Sequence, residues 1–316
     1  MTPAPDRAQV AFTRACELDV LVRKPGNVSV HSSGHGMDAA LFLASAAAAA
    51  GPLCAPGVRV GPRVEAAVQA TWDVAGCNTN LGILLLCAPL AFAFEQRPQA
   101  RTAAQLRAAV TRVLADLDQD DARATYRAIV RANPGGLATV ADQDVHDVPS
   151  VDLRTAMALA ADRDCIAMQY RDGYALVFDV GLAALGAGFR PGAPDPNADR
   201  PAHPPDPATV AAVQHAYLAL LSSVPDSHIA RKHGARAAAA VMRRAQAWQV
   251  RALAGAELDA DPAFAAWDAE LKADGINPGT TADLVVASLM IAGLAGSGPS
   301  RAGRELSPSV PKRDGH

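Results

Sequence analysis

Apolar residues recur every three or four positions along most of this chain, and long runs that alternate apolar with polar residues are absent. The spacing of three to four places apolar side chains on one face of an α-helix, whereas a half-buried strand requires alternation. Segment 37–50 is almost entirely small and apolar, which predicts a central helix that its neighbours pack against closely. The sequence therefore predicts an all-α protein, folded as a single domain of about a dozen helices.

Recognisable breaks separate the predicted helices. The motif NPGG at 133–136 is typical of a turn, and the proline-rich stretch 189–207 cannot be helical, so we expect it to form a surface loop. We predict one all-helical domain over 1–296 and a disordered tail over 297–316, because the tail has few apolar residues. The predicted helices span 6–23, 37–50, 60–76, 80–95, 102–117, 121–132, 153–163, 164–184, 207–223, 228–254, 262–273 and 281–293.

Composition narrows the class of protein. Hydrophobic residues make up 50% and charged residues 19%, which is typical of a globular chain. Aromatic residues make up only 4% and the net charge is −3, so we expect no nucleic-acid partner. The longest apolar stretch, 81–94, is shorter than the roughly 20 residues of a membrane span, so we expect no membrane partner. Five cysteines without a CxxC pair, and a start without a signal-peptide pattern, predict a cytoplasmic protein with reduced thiols.

Polar residues concentrate at four helix junctions, and the first junction is RKPGNVSVHSSGHGMDAA at 23–40. Its glycines allow the backbone to approach a ligand closely. Asp38 falls in the first turn of the next helix, where a carboxylate is also favoured simply by the helix dipole. His31 and His35 have i,i+4 spacing, but the glycines between them disfavour a helical metal-binding pair.

The second junction is GCNTNLG at 76–82, which precedes an apolar helix. One of Asn78, Thr79 and Asn80 is expected to cap that helix. Three hydrogen-bonding side chains in a row exceed what a cap requires, so the others are candidates for binding a ligand.

The third junction is PDSHIARKHG at 225–234, where Asp226 or Ser227 is expected to cap a helix. Arg231 and Lys232 lie early in that helix, where cations oppose the dipole. Because adjacent helical residues point about 100° apart, only one of the two cations is expected to face a given ligand. Binding of a phosphate chain would explain them, and a solvated charged face is the alternative.

The fourth junction is GINPGTTADLVVASLM at 275–290. Thr280 or Thr281 is expected to cap the helix, and Thr280 with Asp283 has the spacing of a capping box. Asp283 is nevertheless a candidate site residue, because the apolar helix that it precedes must be buried.

A further polar stretch, AMALAADRDCIAMQYRDGY at 156–174, is predicted to lie in one continuous or kinked helix. Asp162 and Gln169 are two turns apart and would share a face of that helix. For most of the charged residues here, a ladder of surface ion pairs is the favoured interpretation.

Taken together, these stretches resemble the triphosphoribosyl-dephospho-CoA synthase family. The motifs are KPGNVSVHSSGHGMD, GCNTNLG, AMALAADRDCIAMQY, PDSHIARKHG and INPGTTADL, in that order, over about residues 10–293. The resemblance implies an all-helical enzyme, with 1–296 as its catalytic domain, that joins ATP to 3′-dephospho-CoA. In that reaction the 2′-hydroxyl of the acceptor attacks C1′ of the ATP ribose, and adenine leaves.

One motif departs from the reference members, which resemble NTHKG where this chain has NTNLG at 78–82. Asn80 and Leu81 therefore stand where a histidine and a lysine are expected. In this respect the chain resembles a branch associated with tetrahydromethanopterin-dependent one-carbon metabolism. The acceptor would then be a pterin precursor, and the donor either ATP or another phosphoribosyl donor such as phosphoribosyl diphosphate.

The resemblance and the chemistry together suggest roles for the junction residues. A carboxylate, Asp38 or Asp226, would take the proton of the attacking hydroxyl, and His35 or His228 would hydrogen-bond the leaving base. The expected cofactor is Mg²⁺, with Asp38, Asp226 and Asp283 as candidate ligands. The residues expected to bind phosphates, ribose or other parts of the substrates are Lys24, Gly26, Asn27, His31, Asn78, Thr79, Asn80, Arg231, Lys232, Asn277, Thr280 and Thr281.

Two other functions remain open at the level of sequence. Water could replace the acceptor, which would make the protein a hydrolase, because both reactions need the same donor site. The loss of the histidine and lysine at 80–81 would also fit a non-catalytic helical protein that binds a nucleotide. The sequence leaves the oligomeric state open.

Overall fold

The computed structural model describes residues 7–31, 39–134, 142–194 and 204–295. Within these ranges the chain forms α-helices, one π-helical turn at Leu176–Gly181 and one short 3₁₀ turn, without strands, so the all-α prediction is confirmed. The α-helices are α1 Arg7–Leu21, α2 Ala39–Leu53, α3 Val60–Ala75, α4 Leu81–Gln96, α5 Ala103–Ala115, α6 Gln119–Ala132, α7 Leu153–Ala160, α8 Cys165–Asp172, α9 Leu182–Leu185, α10 Pro207–Ser223, α11 Ser227–His233, α12 Ala235–Leu253, α13 Pro262–Ala273 and α14 Gly279–Ala295.

Helices α4 and α14 form the centre of the fold. Both are apolar on nearly every side and almost fully buried, as expected for helices surrounded by others. They pack against each other, with α1 lying on α14, and α5 on α4. Helices α2, α3 and α6 form a neighbouring layer, in which α3 lies between the other two. The first turns of the two helices meet, because a Cβ added to Gly82 of α4 would overlap the side chain of Asp283 in α14.

Two predicted helices have the predicted bounds. Helix α10 begins at Pro207 after the cap Asp206, and α13 begins at Pro262 after the cap Asp261. A capping aspartate followed by proline is a strong local start signal, because proline lacks the N–H that would otherwise need a partner.

The predicted single helix 228–254 is wrong. It is divided into α11 and α12 at Gly234, which has a φ of 86° and a ψ of 160°. A backbone in that conformation cannot continue a helix, and glycine adopts it without steric cost. The break allows α11 to remain a short helix at the junction while α12 packs on α10.

The predicted boundary between 153–163 and 164–184 is confirmed, but the predicted single helix 164–184 and the continuous or kinked helix through 156–174 are wrong. Helix α7 ends at Ala160, and Asp164 begins α8 as its cap. Gly173 and then Tyr174 have positive φ, and the π-helical turn follows them. Buried Gln169 stabilises this bend, because its Oε1 accepts a hydrogen bond from Leu176 N at 3.1 Å.

Asp162 and Gln169 consequently do not share a helix face. Asp162 is exposed and pairs with Arg171 at 2.7 Å, so a surface ion pair is present, but its partners are nine residues apart and not at the helical spacing expected for a ladder. Residues 195–203 of the proline-rich stretch, part of the NPGG motif and the predicted tail lie outside the described residues, so those predictions stay predictions.

Among the residues described, none of the helices has the length and apolarity to cross a membrane. All five cysteines are free thiols.

Candidate active site at the helix junctions

Asp226 joins the starts of two helices. Its Oδ1 accepts a hydrogen bond from Ile229 N at 3.0 Å, which confirms Asp226 as the cap of α11. Its Oδ2 accepts hydrogen bonds from both the N–H and the hydroxyl of Thr281, each at 2.8 Å. The predicted capping of α14 by Thr280 or Thr281 is therefore wrong, because both residues lie inside the helix and Asp226 supplies the cap from α11.

A third helix start is tied to the same point. Asp164 caps α8 by accepting hydrogen bonds from Ile166 N at 2.8 Å and Ala167 N at 3.1 Å. The hydroxyl of Ser227 accepts from Cys165 N at 3.2 Å and donates to Thr280 Oγ1 at 3.0 Å. Burial and then the nearby charge of Asp226 raise the pKa of the Cys165 thiol to about 11, so this cysteine is an inert buried residue.

Asp283 faces this junction without taking part in its hydrogen bonds. A Cβ added to Gly82 would overlap Asp283 Oδ2 and lie 2.6 Å from Ile166 Cδ1, so the carboxylate rests against the first turn of α4. Burial raises the pKa of Asp283 well above its usual value, and the charges of Asp19, Asp226 and Asp164 raise it further. Arg231 lowers that pKa. Carboxylates held close together in this way favour a bound cation or a retained proton.

Arg231 lies beside these carboxylates. Its Nη1 is 3.4 Å from Asp164 Oδ2, and its Nη2 is 3.4 Å from His228 Nδ1. The ring of His228 in turn lies against Gly279, where a Cβ would be 3.6 Å from the ring Cγ. Lys232 is exposed, so of the two adjacent cations Arg231 faces the junction, as the geometry of a helix requires.

Lys24, predicted to bind phosphate, is fully buried in the first junction. Its Nζ forms an ion pair with Asp19 Oδ1 at 3.1 Å and hydrogen bonds to the carbonyl of Asp19. A phosphate contact would require this pair to open, which would leave Asp19 charged and buried. Lys24 therefore has a structural role in this protein. Its buried side chain holds residues 23–28 in place, and we call these residues the anchor loop.

The anchor loop is held by side chains from several helices. Gly26 N donates to Asp268 Oδ1 at 2.8 Å, and Tyr217 donates its hydroxyl to Pro25 O at 2.6 Å. Gly26 has a φ of 84°, and a Cβ there would be 2.8 Å from Pro278 Cδ. The backbone at Gly26 therefore lies close to another loop of this chain, the one that contains Pro278. Beyond the anchor loop, the predicted site residue His31 is exposed.

The first and fourth junctions are in direct contact. Asn27 donates its amide to Asn277 Oδ1 at 3.0 Å, so two predicted substrate-binding residues bind each other. Asn27 is 7% exposed, whereas Asn277 is half-buried. The contact places the anchor loop beside the start of α14.

The second junction contains both a cap and unsatisfied polar groups. Asn80 is the N-cap residue of α4, which confirms that one of the three polar residues caps the helix, but its side chain makes no capping hydrogen bond, and Asn78 Oδ1 accepts from Leu81 N at 3.1 Å instead. Thr79 Oγ1 and Asn80 Nδ2 are buried and have no hydrogen-bond partner within the described residues. Buried polar groups normally have partners, so these two are available to a ligand.

Two predicted catalytic residues, His35 and Asp38, lie outside the described residues. Sequence reasoning assigned no site role to Asp164, although its motif was recognised. Its position in the sequence contains a signal, because Asp164 directly precedes the buried residues Cys165, Ile166 and Ala167. An aspartate there can cap the helix with one oxygen and leave the other facing the junction. The structure brings Asp164, Asp226, Asp283, His228 and Arg231 together.

The expected magnesium ion can be tested against these carboxylates. Both oxygens of Asp226 accept short hydrogen bonds and the residue is buried, whereas Asp164 Oδ2 has only a 3.4 Å contact with Arg231 Nη1, and Asp164 and Asp283 are half-buried. Within the described residues, no group of three or more histidine, cysteine or acidic side chains is placed so that it could hold a metal ion by itself. Mg²⁺ is usually held by one or two carboxylates together with substrate phosphates, and Asp164 and Asp283 fit that arrangement.

The fold and the junction define an all-α protein whose candidate ligand site lies where helix starts converge on carboxylates and an arginine. The sequence model of the CitG family, described as ATP:dephospho-CoA triphosphoribosyl transferase, matches residues 5–301, so the chain belongs to that enzyme family. A crystal structure of a candidate triphosphoribosyl-dephospho-CoA synthase from Archaeoglobus fulgidus is similar in fold, with a TM-score of 0.59. It is 22% identical in sequence, and the match covers 81% of this chain and 98% of that one. The comparison with curated proteins found no match.

Proposed function

We propose that this protein transfers a triphosphoribosyl group from ATP to 3′-dephospho-CoA and releases adenine. The observation that carries the proposal is the open carboxylate of Asp283, held near Arg231 at a point where the starts of α4, α8, α11 and α14 converge. The N-terminal ends of helices and an arginine side chain favour the binding of a phosphate chain, and the carboxylate of Asp283 can act as a base next to that chain. Membership of the CitG family supports the donor and the acceptor.

The transfer requires one proton to be removed and one base to be released. The acceptor hydroxyl oxygen forms a bond to C1′ of the ATP ribose as the bond from C1′ to adenine N9 breaks, through an oxocarbenium-like state. Asp283 takes the hydroxyl proton, and its raised pKa makes it a stronger base than an ordinary aspartate. Departing adenine keeps the electrons of the broken bond and gains a proton, for which His228 is the donor.

The other residues of the junction hold the reactants. Arg231 binds the triphosphate, and Asp164 would hold Mg²⁺ with phosphate oxygens. When bound, Mg²⁺ neutralises part of the triphosphate charge. Asp226 is a positioning residue in this scheme, because both of its oxygens hold the starts of α11 and α14. Asp38 and His35 stay predicted contributors to the same site.

The test is adenine release by the purified full-length protein with ATP, Mg²⁺ and 3′-dephospho-CoA, followed by chromatography. We expect adenine to appear only when the acceptor is present, and a chelator to abolish it. Adenine release without acceptor would instead establish a hydrolase. ATP binding without any adenine release would exclude this transfer and favour a different acceptor or a non-catalytic nucleotide-binding protein.

A second candidate follows from Asn80 and Leu81. A histidine and a lysine are expected at these positions, and here Leu81 is nearly buried, so no cation reaches the site from this turn. The alternative is phosphoribosyl transfer to a pterin precursor, from ATP or phosphoribosyl diphosphate. Parallel reactions with a hydroxylated pterin in place of 3′-dephospho-CoA test it, and turnover with the pterin alone would select this candidate.

A further inference from the structure

A large cavity lies between α3, α6 and segment 145–149. Its volume is about 910 Å³, within the range of pockets that hold small molecules. We call it the arginine groove. Its apolar lining includes Trp72, Tyr126, Val130 and Pro149, and its charged lining includes Glu65, Arg123, Arg127, Arg131 and Asp147.

The three arginines lie four residues apart on α6, so they share one face of the helix. Arg127 forms a two-bond ion pair with Glu65, with both distances at 2.6 Å, and Arg123 pairs with Asp120 at 2.7 Å. Arg131 is exposed and makes no hydrogen bond or ion pair within the part of the chain that the structure describes. The groove therefore presents one uncommitted guanidinium beside an indole ring, a combination suited to an anion attached to a planar base.

A second, much smaller cleft of about 10 Å³ lies beside the groove and reaches the second junction. Trp72 lines both spaces, and the cleft also touches Thr71, Cys77, Asn78 and Asn80. Thr71 is 3% exposed and Asn80 is 5% exposed. Thr71 Oγ1 and Asn80 Nδ2 lack hydrogen-bond partners within the described residues. Two nearly buried polar groups without partners, both lining one cleft, point to a polar group of a ligand at this place.

The cleft leads towards the proposed reaction site. Asn80 and Leu81 line the cleft, and the next residue, Gly82, is in contact with the carboxylate of Asp283. One helical turn of α4 thus separates the end of the groove from the proposed base. A substrate end that entered the cleft, which must widen to admit it, would lie next to the turn of α4 that contacts Asp283.

We propose that the arginine groove and its cleft bind the acceptor, as a planar base with a phosphate chain of the size of 3′-dephospho-CoA. The base lies against Trp72, a phosphate pairs with Arg131, and Asn80 and Thr71 hydrogen-bond the part nearest to Asp283. The proposal rests on the proposed transferase function, but it concerns a region outside the junction cluster. The donor then occupies the helix junction beside Arg231.

Cys77 provides a direct measure of occupancy. It lines the cleft and is half-buried, whereas the other four cysteines are buried, so a thiol reagent should label Cys77 in the folded protein. We expect 3′-dephospho-CoA to slow the labelling at least about fivefold, with ATP having little effect. The variant Cys77→Ser should abolish the labelling and identify the site.

The variant Arg131→Gln tests the contact with phosphate. We expect it to raise the 3′-dephospho-CoA concentration for half-protection, and the acceptor KM, about tenfold, while the KM for ATP stays unchanged. The matched control is Arg243→Gln on α12, another exposed arginine without a partner in the described part of the chain. It should leave both values unchanged.

Two results would overturn this assignment. Turnover with normal acceptor KM in both Arg131→Gln and Trp72→Ala would remove the groove from acceptor binding. Protection of Cys77 by ATP rather than by 3′-dephospho-CoA would assign the groove to the donor. If no adenine is released in any reaction, the proposed function fails, and protection of Cys77 still decides whether the groove binds the acceptor.

Discussion

Buried charges are arranged differently beneath the anchor loop and at the helix junction. Beneath the anchor loop, Lys24 pairs with Asp19, and Lys272 pairs with Asp268 at 2.9 Å, so each carboxylate has an ammonium group. At the junction, Asp283 has carboxylates as its main electrostatic neighbours, and their effect on its pKa exceeds that of Arg231. Lys24 offsets only part of the effect of burial on Asp19, whose pKa is raised and whose charge still acts on Asp283, whereas Asp283 has no ammonium partner in the described residues and the junction retains excess negative charge.

The difference indicates which polar residues hold the fold and which are available for chemistry. A carboxylate with its own cation or with several hydrogen-bond donors is partly stabilised: the three hydrogen bonds of Asp226 lower its pKa, although its burial raises that pKa overall. Asp283 has no comparable partner in the described residues, and its burial raises its pKa. Its ionised form is stabilised once a cation or a substrate is bound.

The largest effect on the free energy of unfolding is expected from Lys24→Met, which removes the buried ion pair between Lys24 and Asp19. It leaves Asp19 buried without its ammonium partner, so we expect a loss of about 3 to 5 kcal/mol, measured by urea denaturation. The matched control is the exposed Lys232→Met, for which we expect a change within about 0.5 kcal/mol. A stable Lys24→Met protein with weakened ATP binding would instead support a phosphate contact.

An intermediate effect is expected from Gly82→Ala, which disturbs the junction without removing a charge. The added Cβ would overlap the carboxylate of Asp283, so that side chain must rotate away from α4. We expect a loss of about 1 to 2 kcal/mol of stability and at least a hundredfold loss of adenine release, because the base is displaced. Denaturation and the adenine assay measure the two effects.

Gly51 supplies the control for that substitution. It lies in α2 with nothing within 4 Å of an added Cβ, so Gly51→Ala should stabilise the protein by about 0.5 to 1 kcal/mol with unchanged activity. If Gly82→Ala behaves like this control, Asp283 is not held against α4 as described.

The smallest effect on stability, and one of opposite sign, is expected from Asp283→Asn, measured with a chelator present. Because the pKa of Asp283 is raised in the folded state, the wild type loses stability as pH rises from the unfolded value through the folded value. The variant lacks this loss. It should be more stable by on the order of 1 kcal/mol at pH 8, with little difference near pH 4.

Activity should move in the opposite direction, with most adenine release lost in Asp283→Asn, because the base is removed. The conservative Asp283→Glu should restore part of the activity. A variant that is less stable than the wild type at pH 8, or equally active, would contradict the role given to this carboxylate.

Much of the fold was predictable from local pattern. Helices α10 and α13 have the predicted bounds, because an aspartate cap followed by proline is a signal carried within a few residues. The breaks at Gly234 and at Gly173–Tyr174 were not predicted, since the apolar periodicity continues across them. These breaks depend on how the neighbouring helices pack, which a local pattern does not contain.

The same division applies to the candidate site. The sequence by itself determined that the protein is helical and that its polar residues lie at helix junctions, because periodicity and capping act over a few residues. Only the tertiary structure decided that Lys24 is paired, that Asp226 is bound by Thr281, and that Asp283 remains open. Asp226 and Thr281 are 55 residues apart in the chain. Whether a carboxylate is satisfied depends on partners brought by other helices, and therefore on the packing of the whole domain.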